Sequence, residues 1–212
     1  MKLGGDLAEH ERGGTAVVLL HGFGASGDDL VSLARALVQP RTRYVVPAGL
    51  LSLPNGGRAW WPLKQRIDYD AEQELPVAPA ALESARAAVL GVLRTVRERY
   101  APETLLLAGF SQGAMLALDA ALQPASGVQR VAVLSGALTT ATARDLASSP
   151  SPRPRVFVSH GRKDRILRFA GAEHAVERLQ SAGLPVAFHP FDGGHEISED
   201  VVNALREFLF GP

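Results

Sequence analysis

Apolar runs of strand length alternate along this chain with segments whose apolar residues recur every three or four positions. The strand-like runs are Ala16 to Leu20, Arg43 to Pro47, Leu105 to Ala108, Val128 to Leu134, Val156 to Ser159 and Val186 to Phe191. Between and after them, Asp29 to Val38, Val77 to Tyr100, Ala114 to Leu122, Leu167 to Ala182 and Glu199 to Phe210 read as helices. The longest helix carries the clearest signal, because Leu82, Ala85, Val89, Leu93, Val96 and Tyr100 form one stripe down a single face. Strands that alternate with helices in this way predict an α/β fold, a mostly parallel, doubly wound sheet with helices on both faces. The tract Ala147 to Pro154, rich in Ser and Pro, reads as a surface loop, since both flanking segments belong to one sheet. With no internal repeat, residues 1–212 are expected to form one domain.

Within this pattern one pentapeptide stands out. Gly109-Phe110-Ser111-Gln112-Gly113 joins an apolar strand to a helix. A G-x-S-x-G in that context forces its serine into a tight, strained turn, so that the hydroxyl projects beyond the sheet edge. A serine hydroxyl is a weak nucleophile at neutral pH and needs a base, an orienting acid and oxyanion donors.

The base is sought among six histidines. His10 lies in the polar N-terminal segment, His174 sits in a helical pattern between Glu173 and Glu177, and His160 and His189 fall in strand-like runs, where a structural role is expected. His195 differs, because it follows Gly193 and Gly194 just after the last strand and precedes the final helix. Residues at the carboxyl ends of the strands line the crevice of a doubly wound sheet. The acid should fall between serine and histidine in the order Ser, Asp or Glu, His. Asp164 does, in the turn after the strand of Val156 to Ser159; Asp192, only three residues before His195, is poorly placed to reach Nδ1 while Nε2 faces the serine. A pairing of Asp164 with Arg162, Lys163 or Arg165 is the alternative reading of that residue.

Oxyanion donors are expected from the backbone N–H groups of Gln112 and of Phe23, the latter in the glycine-rich loop His21-Gly22-Phe23-Gly24 after the first strand. A phosphate-binding role for this loop is disfavoured, because neither G-x-G-x-x-G nor a P-loop is present and Asp28 and Asp29 follow. His189, Asp192 and His195 give H-x-x-D-x-x-H, but in an extended strand that spacing does not converge three ligands, so no metal is expected. No cofactor is expected either.

These residues resemble the bacterial carboxylesterase/phospholipase family of the α/β-hydrolase superfamily, which includes acyl-protein thioesterases and lysophospholipases. The resemblance spans nearly the whole chain. It is carried by Leu20-His21-Gly22-Phe23-Gly24, Arg58-Ala59-Trp60-Trp61, Gly109-Phe110-Ser111-Gln112-Gly113-Ala114, His160-Gly161-Arg162-Lys163-Asp164 and Gly193-Gly194-His195-Glu196-Ile197-Ser198. It implies Ser111, Asp164 and His195 as the triad, with Phe23 and Gln112 as the oxyanion hole. Trp61 stands where relatives often carry Tyr or Phe, and Leu167-Arg168 replaces a Val-Pro-like step, departures that touch pocket shape rather than chemistry.

The segment Ala48 to Pro76, rich in Gly, Pro and aromatics, is too long for a simple connection. It is expected to fold over the crevice and contribute Trp60 and Trp61 to an acyl or alcohol pocket, with packing under the loop as the alternative. The chain has no room for a large cap domain, so a shallow groove suited to small esters or single acyl chains is expected.

Composition narrows the setting. The 212 residues are 46% hydrophobic, without an apolar stretch of the length a membrane-crossing helix needs. Met1 to Gly14 is polar and lacks the apolar region of a signal peptide, so a cytoplasmic protein is expected. The absence of cysteine excludes disulfides and thiol catalysis. A net charge of zero argues against nucleic-acid and anionic-membrane partners. The expected activity is that of a serine carboxylesterase acting on short to medium acyl esters. Acyl thioesterase or lysophospholipase activity with the same triad is the nearest alternative, and a non-catalytic binding protein the distant one. The expected partner is a small-molecule ester or acyl substrate; a homodimer stays open, because oligomeric state cannot be read from the sequence.

Overall fold

The computed structural model describes residues 2–4, 11–63, 74–146 and 152–211, with backbone alone for 2–4. The elements run β1 (Lys2–Gly4), β2 (Thr15–Leu20), α1 (Val31–Ala36), β3 (Thr42–Val45), β4 (Leu51–Ser52), β5 (Arg58–Ala59), α2 (Pro79–Tyr100), β6 (Thr104–Phe110), α3 (Gln112–Ala121), β7 (Arg130–Leu134), α4 (Thr140–Asp145), β8 (Arg155–Gly161), α5 (Phe169–Ser181), β9 (Val186–Phe191) and α6 (Glu199–Phe210). Seven strands make one sheet in the order β1-β3-β2-β6-β7-β8-β9. Every pairing in it is parallel except that of β1 with β3.

Period-two alternation divides the apolar residues between two faces. On β2, Ala16, Val18 and Leu20 join a core built with α2, α3 and α5, whereas Val17 and Leu19 join a second core with α1 and α6. All ten residues of α3 are buried, so this helix is apolar nearly all round, as its interior position demands. Its one acid, Asp119, accepts both Arg86 Nε at 2.6 Å and Arg86 Nη2 at 2.9 Å, and the Thr142 hydroxyl at 2.8 Å. Those bonds tie α2 and α4 to the central helix.

The register sets the site. β2 lies between β3 and β6 with Leu20 opposite Gly109, and Phe110 stands opposite Leu134. Gly161 in turn stands opposite Phe191. The carboxyl ends of β2, β6, β8 and β9 therefore open onto one crevice.

Three features escape the sequence pattern: β1, the two-residue strands β4 and β5, and the six-residue α4. Each is too short to display a period. Parts of Met1 to Gly14 with His10, of Ala48 to Pro76 and of Ala147 to Pro154 lie outside the described residues. Among the described residues, the segment between β3 and α2 contains no helix, and no helix is long and apolar enough to cross a membrane.

Candidate active site

Ser111 occupies φ 54° and ψ −117°, a left-handed conformation that costs a non-glycine residue about 1–3 kcal/mol. Its neighbours explain how the turn closes. A Cβ on Gly109 would stand 2.2 Å from the Gly113 carbonyl oxygen, and one on Gly113 would stand 2.2 Å from the Leu20 carbonyl oxygen. Only glycine permits either approach. The Ser111 N–H donates to the Leu134 carbonyl at 2.9 Å, fixing the elbow to the end of β7.

His195 reaches the serine from the loop after β9. Its Nε2 lies 2.9 Å from Ser111 Oγ, its Nδ1 lies 2.7 Å from Asp164 Oδ2, and its ring packs on Phe110 with centroids 4.9 Å apart. The acid and histidine loops are zipped together, Arg162 N–H donating to the Phe191 carbonyl and Lys163 N–H to that of Gly193, each at 2.9 Å. Gly161 makes this possible, because a Cβ there would stand 2.2 Å from the Gly194 carbonyl oxygen.

The Asp164 side chain is fully buried. Its Oδ1 accepts the N–H groups of Ile166 and Leu167 at 2.8 and 2.9 Å. Burial alone would raise its pKa, but hydrogen bonds from His160, His195 and those two N–H groups outweigh it and hold the carboxyl well below the ordinary range. Nδ1 of His195 therefore carries a proton that it donates to an ionised carboxylate, which leaves Nε2 as a lone pair facing the serine hydroxyl.

His160 was expected to be structural, and the structure gives it a partner in the site. Its buried Nε2 lies 2.8 Å from the Leu167 carbonyl oxygen and 3.2 Å from Asp164 Oδ2. A carbonyl only accepts, so Nε2 carries the proton and shares it between the two oxygens. The signal in the sequence was the spacing itself, a histidine four residues before the acid on a turn that folds back. Asp192 lies apart, paired at the surface with Lys163 at 2.8 Å. His189 pairs with Asp200 at 2.8 Å, and His174 lies 3.2 Å from Glu74.

Gln112 is the first residue of α3, so its N–H lacks an intrahelical acceptor. Its side chain is engaged elsewhere, Oε1 accepting from Trp60 N–H and Nε2 donating to the Trp61 carbonyl, both at 2.9 Å. The loop bearing Phe23 is braced in turn. Gly49 N–H donates to His21 Nε2 at 2.8 Å, which places the His21 proton on Nδ1, donated to the Gly22 carbonyl at 2.7 Å. Arg58 N–H donates to the Ala25 carbonyl at 2.7 Å, and Gly24 N–H donates to that of Arg58 at 2.9 Å.

Ser111 and His195 open onto a cavity of about 320 Å³, walled by Trp61, Leu63, Leu75, Val77, Met115 and Leu167. Phe23, 40% exposed, sits at its edge. Trp60, expected beside Trp61 in the pocket, does not line it. Its indole is buried against His21 and donates Nε1–H to the His21 carbonyl at 2.9 Å, making it a brace for the glycine loop.

Comparison with known proteins gives the family and the fold. A family model described as phospholipase/carboxylesterase matches residues 8–210. The chain is 27% identical to a probable carboxylesterase SOBER1-like of Arabidopsis thaliana, with 92% of this chain and 78% of that one covered. It is 24% identical to lysophospholipase-like protein 1 of Mus musculus, covering 93% of this chain and 87% of that one. The crystal structure of esterase PE8 superposes with a TM-score of 0.84 at 27% identity over 99% of this chain and 96% of that one. With its mostly parallel sheet and its helices on both faces, the chain has the α/β-hydrolase fold and belongs to the phospholipase/carboxylesterase family of hydrolases.

Proposed function

We propose that this protein is a serine carboxylesterase that cleaves short to medium acyl esters through an acyl-enzyme on Ser111. The observation that carries the reading is the unbroken relay from Ser111 Oγ to His195 Nε2 at 2.9 Å and from His195 Nδ1 to Asp164 Oδ2 at 2.7 Å, at the mouth of an apolar cavity. As Ser111 Oγ attacks the ester carbonyl, its proton passes to His195 Nε2, and Asp164, still ionised, stabilises the imidazolium. The N–H groups of Phe23 and Gln112 hold the tetrahedral oxyanion. His195 then gives the proton to the departing alkoxide, leaving the acyl-enzyme. Water attacks that ester, its proton goes to His195 and then to Ser111 Oγ, and the acid departs.

The cavity volume, about 320 Å³, supports an acyl chain of modest length rather than bulk lipid. Hydrolysis of a p-nitrophenyl ester series by the wild type and by Ser111→Ala tests the reading. Activity should be highest for short and medium chains and should vanish in the variant. Retention of full esterase activity by Ser111→Ala would sink it. Acyl thioesters run in the same series separate esterase from thioesterase preference.

A further inference from the structure

Residues 74–77 supply one wall of the apolar cavity, through Leu75 and Val77, yet belong to no helix and to no strand of either sheet. Such a segment keeps its place only through bonds to its neighbours. Its main chain makes two, Leu75 N–H donating to the Leu138 carbonyl at 2.8 Å and Thr140 N–H to that of Leu75 at 3.1 Å. That bridge fixes one point of the segment against the start of α4 and leaves rotation about the point to other contacts. Glu74 supplies a second point. Its Oε1 accepts from Arg178 Nη1 and lies 3.2 Å from His174 Nε2, and both donors stand on α5, one helical turn apart.

An isolated ion pair at a surface contributes little, whereas a partly buried network can hold geometry. The side chains of Glu74 and His174 are only 21% and 20% exposed. The Arg178 guanidinium also reaches α4, where Nη2 donates to the Ala143 carbonyl at 3.2 Å. One side chain therefore ties the wall segment, α4 and α5 together. Leu167, just before α5, lines the cavity as well, so the same helix borders one wall and anchors another. An apolar chain binds best to a wall already in place, because any freedom the wall must lose on binding subtracts from affinity.

We infer that Glu74, held by Arg178 and His174, is a positioning residue for substrate selection. It does not itself line the cavity. It fixes Leu75 and Val77 against the acyl chain, and thereby sets how strongly the enzyme prefers longer acyl groups over acetyl. This inference rests on the reading of Ser111 as an esterase nucleophile and of the cavity as its acyl site.

The ratio of kcat/KM for p-nitrophenyl hexanoate to that for p-nitrophenyl acetate reads the wall, since the acetyl group is too short to need it. In Glu74→Ala and in Arg178→Gln the ratio should fall about five- to tenfold, roughly what one methylene of apolar contact is worth. The loss should appear in KM for the hexanoate, with kcat and the acetate kinetics unchanged. Arg178→Lys keeps a cation beside Glu74 and should recover most of the ratio. E74A/R178Q should lose no more than either single variant, because both remove the same contact. An unchanged ratio in Glu74→Ala, a parallel fall for both esters, or additive losses in the double variant would overturn the inference. Calorimetric binding of the two esters to Ser111→Ala, with and without Glu74→Ala, reads the wall without turnover. If the wild type cleaves neither ester but Glu74→Ala still removes a preference for binding the hexanoate, the positioning role stands and the esterase reading falls.

Discussion

The buried ring of His160 lies 3.2 Å from the same Asp164 oxygen that holds His195 at 2.7 Å, so one carboxylate oxygen is shared by two imidazoles. The histidine of the relay needs an ionised, immobile acid, and His160 supplies a second hydrogen bond that helps to keep Asp164 so. Replacing it by leucine removes a buried donor to a charged group and leaves the Leu167 carbonyl without its partner, at a cost of about 1.5–3 kcal/mol. His160→Leu should lower both stability and kcat, while His160→Gln, which keeps an N–H donor, should recover part of each. Denaturant titrations and turnover of the two variants check this; equal losses in both would remove any role for the shared proton.

The depressed pKa of Asp164 sets a pH signature for stability. A carboxyl that holds fewer protons folded than unfolded adds stability in full above its unfolded value near 4, and that stability is lost as pH falls through the lower folded value. The stability gap between wild type and Asp164→Asn should therefore be widest near pH 7 and should narrow as pH drops below about 4. Thermal melts of both proteins across that range measure it. A gap of constant width would show that the carboxylate is not preferentially ionised in the native state.

Glycines separate by what a methyl group would meet. Gly161→Ala sets a Cβ 2.2 Å from the Gly194 backbone, so the histidine loop must move, and turnover should fall by at least about tenfold, since misplacing a reacting group by an ångström costs more than that. Gly91 lies inside α2 with open space around it, and Gly91→Ala should stabilise the protein by about 0.5–1 kcal/mol with activity unchanged. Chemical denaturation and ester turnover of the pair supply the comparison.

Gln112 offers a test of the brace. Its side chain satisfies the buried N–H of Trp60 and carbonyl of Trp61, while its own main chain is the proposed oxyanion donor. In Gln112→Ala the donor persists but both tryptophan backbone groups lose their partner, at about 1–3 kcal/mol each. Stability should drop, and KM for esters should rise as Trp61 shifts in the cavity wall. An unchanged KM would mean that Trp61 is held by other contacts.

Where the chain repeats a pattern, the fold was legible from sequence. β9 and α6 fall on Val186–Phe191 and Glu199–Phe210, because a run bounded by Pro185 and Gly193 and a stripe beginning at the Ser198 cap leave little freedom. By contrast, α4 is six residues, Thr140 to Asp145, without a stripe, and exists because Thr139 caps it and Thr142 bonds the buried Asp119. Ser111, Asp164 and His195 stood out as turn residues after strands, and the fold brings them into one relay. The packing of Trp60 and the contact of His160 with Asp164 were not legible for a shared reason: both depend on which way a loop folds back, Trp60 onto His21 and the Asp164 turn beneath His160. Neither direction is encoded in local periodicity.

Ser111 is proposed to be a nucleophile activated by His195 and Asp164. Incubation with a fluorophosphonate probe, followed by peptide mass spectrometry, reads that activation at the residue itself. A single covalent adduct should form on Ser111 in the wild type, be absent in Ser111→Ala and be strongly slowed in His195→Ala. Folded wild-type protein that takes up no label, or that carries it on another residue, would rule out Ser111 as the activated nucleophile.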